Sequence, residues 1–179
     1  MPTLHTEKTS TLLDLASELG ERLARRHQHL ALAESCTGGA IAAAVTAVSG
    51  SSGWFDLGVV AYSNIIKQQV LAVPPHLLEE YGAVSEPVVA AMATGVAQLA
   101  SADWGIATSG IAGPCGGTDE KPVGTVCFAW ALPLVLSQVS GVSVLTERHC
   151  FTGDRAAVQY QSVHYALSKL LCLLDKNTV

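Results

Sequence analysis

Leu12, Leu13, Leu15, Leu19 and Leu23 recur at helical spacing, with Glu18, Glu21, Arg22, Arg25 and Arg26 on the opposite face. The spacing predicts an amphipathic helix over roughly residues 9 to 27. The period then gives way to a short apolar run, Leu30 to Glu34, that reads as a buried strand. Beyond the Gly38-Gly39 turn, Ala40 to Val48 reads as a helix of small residues able to pack closely on a sheet. Leu57 to Tyr62 reads as a second strand ended by Ser63-Asn64, and Ile65 to Leu71 as a short helix stopped by Pro74-Pro75. Ser85, Glu86 and Pro87 form a helix start, a hydroxyl cap with proline in the first turn, and the helix is expected to reach Ala100.

Trp104 to Thr108 reads as a strand, and Ser109 to Gly117 as a loop with four glycines and one proline. Val123 to Ala131 and Val142 to Phe151 read as two strands joined by a loop near Pro133 to Gly141. Asp154 caps a long final helix with apolar positions at Val158, Val163, Ala166, Leu167, Leu170 and Leu171. Helices and strands alternate at first, and then two strands follow one another. This order predicts a single-domain α/β protein, a three-layer α/β/α sandwich on a mixed, mostly parallel sheet. The domain is expected to cover residues 10–175, behind a polar tail over residues 1–9.

With 49% hydrophobic and only 14% charged residues, the chain is expected to be compact rather than disordered, with surface that a homodimer or higher homo-oligomer contact could cover. The net charge of −5, with no basic cluster beyond Arg22, Arg25 and Arg26, argues against nucleic acid as a partner. The cysteines at 36, 115, 127, 150 and 172 lack any paired spacing and read as reduced thiols. No segment has the roughly 18 to 20 consecutive apolar residues of a membrane span, and a cytoplasmic location is expected.

Candidate chemistry gathers at the strand ends, where ligands bind in sheets of this kind. Ser35 sits in Ala33-Glu34-Ser35-Cys36-Thr37-Gly38-Gly39, between strand and helix. It reads either as a nucleophile beside the unpaired N–H groups of a helix start or as a helix cap, a job Thr37 could share. Lys67, after Tyr62-Ser63-Asn64, reads as a base if desolvated, or as a solvated surface lysine. Tyr62 could relay a proton or merely finish its strand. The loop from Ser109 through Gly110, Ala112 and Gly113 could converge N–H groups on an anion, or serve only as a connection. Arg155 opens a helix, where its charge opposes the helix dipole; it either meets an external anion or pairs with a carboxylate such as Asp154. None of the six histidines carries a motif, and no metal-binding spacing occurs.

These segments, with Gly50-Ser51-Ser52, Gly82-Ala83-Val84-Ser85, Lys121-Pro122-Val123-Gly124-Thr125 and Gly153-Asp154-Arg155, closely resemble the CinA C-terminal family over about residues 10 to 175. Stand-alone members of that family are similar to nicotinamide-nucleotide amidases, which convert nicotinamide mononucleotide to nicotinate mononucleotide and ammonia without metal or cofactor. The resemblance implies that Ser35 is the nucleophile and Lys67 its base, with Tyr62 assisting. It further implies that N–H groups around Thr37, Gly38 and Gly39 hold the oxyanion. Asn64, the loop Ser109-Gly110-Ile111-Ala112-Gly113 and Arg155 would complete the substrate site, with the loop and Arg155 on the ribose phosphate. Where the family usually reads Gly-Pro-Asp-Gly-Gly, this chain has Cys115 in place of the acid. A reading from a different class is a non-catalytic module that uses the same pocket for a nucleotide or for a protein partner in competence or damage repair.

Overall fold

The computed structural model describes residues 11–133 and 143–176. The tail over residues 1–9 and most of the loop expected between Pro133 and Gly141 lie outside the described residues. In chain order the elements are α1 (Leu12–Arg25), β1 (Leu30–Glu34), α2 (Ala40–Thr46), a short 3-10 turn (Ser51–Gly53), β2 (Phe55–Val60), α3 (Asn64–Leu71), α4 (Pro75–Tyr81), α5 (Glu86–Ala100), β3 (Trp104–Gly110), β4 (Thr125–Ala131), β5 (Val144–Cys150) and α6 (Arg155–Lys176).

The five strands form one sheet in the order β2-β1-β3-β4-β5. β1 pairs in parallel with both β2 and β3, whereas β4 runs antiparallel to its neighbours β3 and β5. The sheet is therefore mixed with a parallel core, as the alternation of elements predicted. β1, β3 and β4 are buried on both faces and read as continuous apolar runs for that reason.

Successive residues of a strand point to opposite faces, and the two faces differ in bulk. Leu30, Leu32, Trp104, Ile106, Val126, Phe128 and Trp130 pack against α1, α2 and α6. Ala31, Ala33, Ala107, Cys127, Ala129 and Ala131 face α3 and α5, whose Leu71, Val88, Val89, Met92, Ala93 and Val96 complete that layer. Small residues let the second layer lie close. A Cβ on Gly105 would sit 2.2 Å from the Ala93 carbonyl oxygen, and one on Gly95 would sit 2.0 Å from that of Leu71.

Several boundaries differ from the expectations by a few residues, and three of the differences have a plain physical reason. Pro74-Pro75 ends α3 and also starts α4, because proline at a first helical position sacrifices an N–H that would have no partner anyway. β2 begins at Phe55 and ends at Val60, since its pairing with β1 sets its span. Ser109 and Gly110 belong to β3, paired with Cys127 and Val126, so sheet pairing prevails over the glycine content there. Among the described residues no helix is long and apolar enough to cross a membrane. All five cysteines are free thiols.

Candidate active site at the carboxyl ends of three strands

From β1 the chain goes on to β2, on one flank in the strand order, and from β3 to β4, on the other, and the crevice between such strand ends is where open α/β sheets bind ligands. A cavity of about 220 Å³ lies there. Of the expected residues, Ser35, Tyr62, Asn64, Lys67, Ser109, Gly110, Ala112 and Arg155 line it, together with Cys36, Ala83 and Val84. Thr37, Gly38, Gly39 and Gly113 are not on its wall.

Lys67 projects from the first turns of α3 toward β1. Ser63 caps that helix, its Oγ accepting from the Ile66 N–H at 3.3 Å. The Lys67 side chain is only 1% exposed. Its Nζ donates to the Ala61 carbonyl at 2.8 Å, to the Tyr62 carbonyl at 3.3 Å and to Ser35 Oγ at 3.1 Å. No ion pair joins it to a carboxylate among the described residues. Burial without a counter-charge pulls its pKa below the ordinary lysine value. This environment excludes the solvated-lysine alternative.

Cys36 follows Ser35 on the cavity wall, and burial pushes its thiol up to about 12. The thiol is neutral at pH 7 and a poor nucleophile. A Cys36 thiolate would raise the Lys67 pKa again, but it does not form in that range. The group that Lys67 addresses is the serine hydroxyl.

The start of α2 is already occupied from within. The carboxylate of the buried Glu34 accepts from the N–H groups of Gly39 (3.0 Å), Ile41 (3.0 Å) and Ala42 (2.8 Å). The Gly38 N–H donates to the Ser35 carbonyl at 3.1 Å. Gly38 and Gly39, at φ of 64° and 98°, take left-handed conformations that favour glycine, so the turn can double back beneath Glu34. The hydroxyl groups of Thr37 and Thr108 pair at 2.9 Å. Consequently the amides of Gly38 and Gly39 serve the turn rather than the cavity. The Cys36 N–H has no acceptor in another described residue.

At the cavity mouth, Arg155 donates from Nη2 to the Tyr62 hydroxyl at 2.9 Å and from Nη1 to the Gly113 carbonyl at 3.1 Å. Asp154 caps α6 instead of pairing with Arg155, its Oδ1 accepting from the Ala157 N–H at 2.8 Å. Among the described residues Arg155 has only neutral partners, so its charge is not matched by a carboxylate. Tyr62 is split between two tasks: its carbonyl holds Lys67, and its ring, 61% exposed, reaches Arg155. Gly113 lies off the wall but ties Arg155 through its carbonyl. Cys115 is exposed and off the wall.

Sequence reasoning did not single out Glu34, Ala83, Val84 or Gln159, whose Nε2 donates to the Cys36 carbonyl at 2.8 Å. Glu34 left one signal: an acid closing an otherwise apolar strand must find buried partners.

The family model described as the CinA C-terminal domain matches residues 12–174. Nicotinamide-nucleotide amidohydrolase PncC of Escherichia coli (strain K12) is 46% identical over 169 residues, which are 94% of this chain and 98% of that protein. The protein of the same name from Pseudomonas putida is 48% identical over 159 residues, 89% of this chain and 94% of its own. A CinA-like protein of Parasynechococcus marenigrum is 54% identical over 156 residues, and there the match spans only 36% of the relative. Among solved structures, the competence-damaged protein (CinA) superfamily protein from Enterobacter cloacae aligns with a TM-score of 0.88 at 38% identity, covering 97% of this chain and 98% of that one.

Proposed function

This chain belongs to the CinA C-terminal domain family, and from that membership we propose that it is an amidohydrolase converting nicotinamide mononucleotide to nicotinate mononucleotide and ammonia. Relatives named for that class of reaction align with it nearly end to end. The observation that carries the mechanism is the 3.1 Å contact between Lys67 Nζ and Ser35 Oγ inside the cavity.

A neutral amine has two N–H groups and one lone pair. The carbonyls of Ala61 and Tyr62 engage the two hydrogens, which turns the lone pair toward Ser35. Ser35 Oγ then attacks the carboxamide carbon while its proton passes to Lys67 Nζ. The tetrahedral oxyanion is met by the Cys36 N–H, a donor of a kind worth about 3 to 4 kcal/mol to the transition state. Collapse breaks the C–N bond, and the Lys67 ammonium returns the proton to the departing nitrogen as ammonia. Water, deprotonated in turn by Lys67, attacks the Ser35 ester, and the proton restores the serine hydroxyl.

Ala83, Val84 and Ala112 offer an apolar wall to the pyridine ring. Arg155 receives the phosphate, exchanging its neutral partners Tyr62 Oη and Gly113 O for an anion. The same reading places the protein in the cytoplasm as a homodimer.

The test is ammonia release from nicotinamide mononucleotide. The wild-type protein is expected to produce ammonia stoichiometric with nicotinate mononucleotide, and Ser35→Ala to produce none. A wild-type protein that releases no ammonia, or a Ser35→Ala variant that matches it, overturns the proposal. Binding of the nucleotide without turnover would put the non-catalytic reading in its place.

A further inference from the structure

Glu34 is 1% exposed and, among the described residues, has no cation beside it. A carboxylate in such a place requires compensation, and three backbone N–H groups five to eight residues further along supply it. An ordinary cap would do this from the residue at the helix start, yet that position is Gly39, which has no side chain to offer. The acid comes instead from the last residue of β1, immediately before Ser35.

Two consequences follow from that placement. The side chain clamps strand end to helix start, so the segment Ser35 to Gly38 is held at both ends. Within it, the Ser35 N–H donates to the Thr108 carbonyl at 3.0 Å and the Ser35 carbonyl accepts from Gly38. Both main-chain groups of Ser35 are tied, and only rotation of its hydroxymethyl group is left. The main chain of Glu34 acts on the base as well. Its carbonyl accepts from the Ala61 N–H at 2.8 Å, and the Ala61 carbonyl accepts from Lys67 Nζ at 2.8 Å.

We propose that Glu34 is the positioning residue of this site: its carboxylate sets the turn that presents Ser35, while its main chain, through Ala61, registers Lys67 against that serine. The inference rests on the Ser35–Lys67 mechanism given above. Glutamate is required because glutamine has the same outline but turns an NH₂ group toward one of the three N–H donors, leaving donor against donor.

Glu34→Gln is expected to lower kcat for nicotinamide mononucleotide by about 10²-fold, as misplacement of a reacting group does. KM should stay within about threefold, because Ala83, Val84, Ala112 and Arg155, the part of the wall assigned to the nucleotide, lie outside the turn that Glu34 holds. Labelling of Ser35 by a fluorophosphonate probe, read by mass spectrometry per folded molecule, should slow by a similar factor. That arm is independent of the amide substrate: a wild-type protein that labels at Ser35 but releases no ammonia refutes the amidase reading alone. Should Glu34→Gln fail to fold, Glu34→Asp keeps the charge on a stem one methylene shorter and should show the same split between kcat and KM. A folded variant whose kcat and labelling rate stay within twofold of wild type overturns the proposal. So does a loss that merely tracks the unfolded fraction in thermal melts, since a purely structural residue would behave that way.

Discussion

At Lys67, burial and hydrogen bonding pull in opposite directions. Two backbone carbonyls favour the ammonium, desolvation favours the amine, and the balance falls below the ordinary lysine value. If the amine is the working form, kcat should rise with pH as Lys67 loses its proton and then level off. Lys67→Arg, which stays cationic throughout, should lose about 10²- to 10⁴-fold in kcat while still binding the nucleotide in calorimetry. The linkage has a definite sign. A lysine whose folded pKa is depressed leaves the unfolded chain holding more protons, so its contribution to stability improves as pH rises from the folded pKa toward about 10.4. Thermal midpoints of wild type should therefore climb relative to Lys67→Met between neutral pH and pH about 10, and parallel curves would refute the depressed pKa. The neighbouring thiol gives a separate check. Iodoacetamide at neutral pH should modify the exposed Cys115, Cys150 and Cys172 and spare Cys36, as followed by peptide mass spectrometry. Rapid alkylation of Cys36 would contradict its assignment as an inert neighbour. In the sequence Ser35 stood out after an apolar strand at a glycine-rich turn and Lys67 after Tyr62-Ser63-Asn64, but pattern alone left each a structural alternative, and the family resemblance supplied the catalytic reading. The use of the α2 amides by Glu34 was not legible, because a side chain's partners several residues away leave no local pattern.

Among the elements, α3 matters most for chemistry, and it is seated by α5. Gly95 faces the carbonyl of Leu71, the last residue of α3. Alanine at an open helical position would be worth up to about 1 kcal/mol over glycine. Here its methyl carbon would arrive 2.0 Å from a backbone oxygen that cannot rotate away. Overpacking of about 1 to 3 kcal/mol should prevail. Gly95→Ala is thus expected to lower the urea midpoint and, because α3 carries Lys67, to lower kcat as well. A variant as stable and active as wild type would show that the two helices can separate without disturbing the base. Two of the boundaries that local pattern misplaced share a cause, since one residue type signals two outcomes. Proline stops a helix and also starts one, as at Pro75. Glycine suggests a loop, yet Gly110 extends β3, where a side chain would run into the Thr125 carbonyl 2.7 Å away.

For the whole molecule, the switch from helical to strand period along the chain made the three layers legible. The strand order was hidden, because parallel pairing depends on which way each crossover turns. The contrast between a bulky and an alanine-lined face was visible only residue by residue along β1, β3 and β4. The cavity mouth is likewise a product of the assembled fold, for Tyr62 and Arg155 lie 93 residues apart in sequence and meet at 2.9 Å. Arg155→Met should raise KM for nicotinamide mononucleotide about 10- to 100-fold, the equivalent of a charged hydrogen bond of about 1.5 to 3 kcal/mol. It should leave the slower turnover of the unphosphorylated riboside little changed, and equal losses on both substrates would remove Arg155 from the phosphate site. From that mouth α6 runs for 22 residues, about 33 Å of helix, down the side of the sheet. Its far end rests on the foot of α1, where Arg26 Nη2 donates to the Leu174 carbonyl at 2.8 Å and Arg22 pairs with Asp175. A fluorophore or surface tether fixed to this end of α6 is therefore held at the floor of the molecule, and an immobilised preparation anchored there would keep its entrance turned toward the bulk solution.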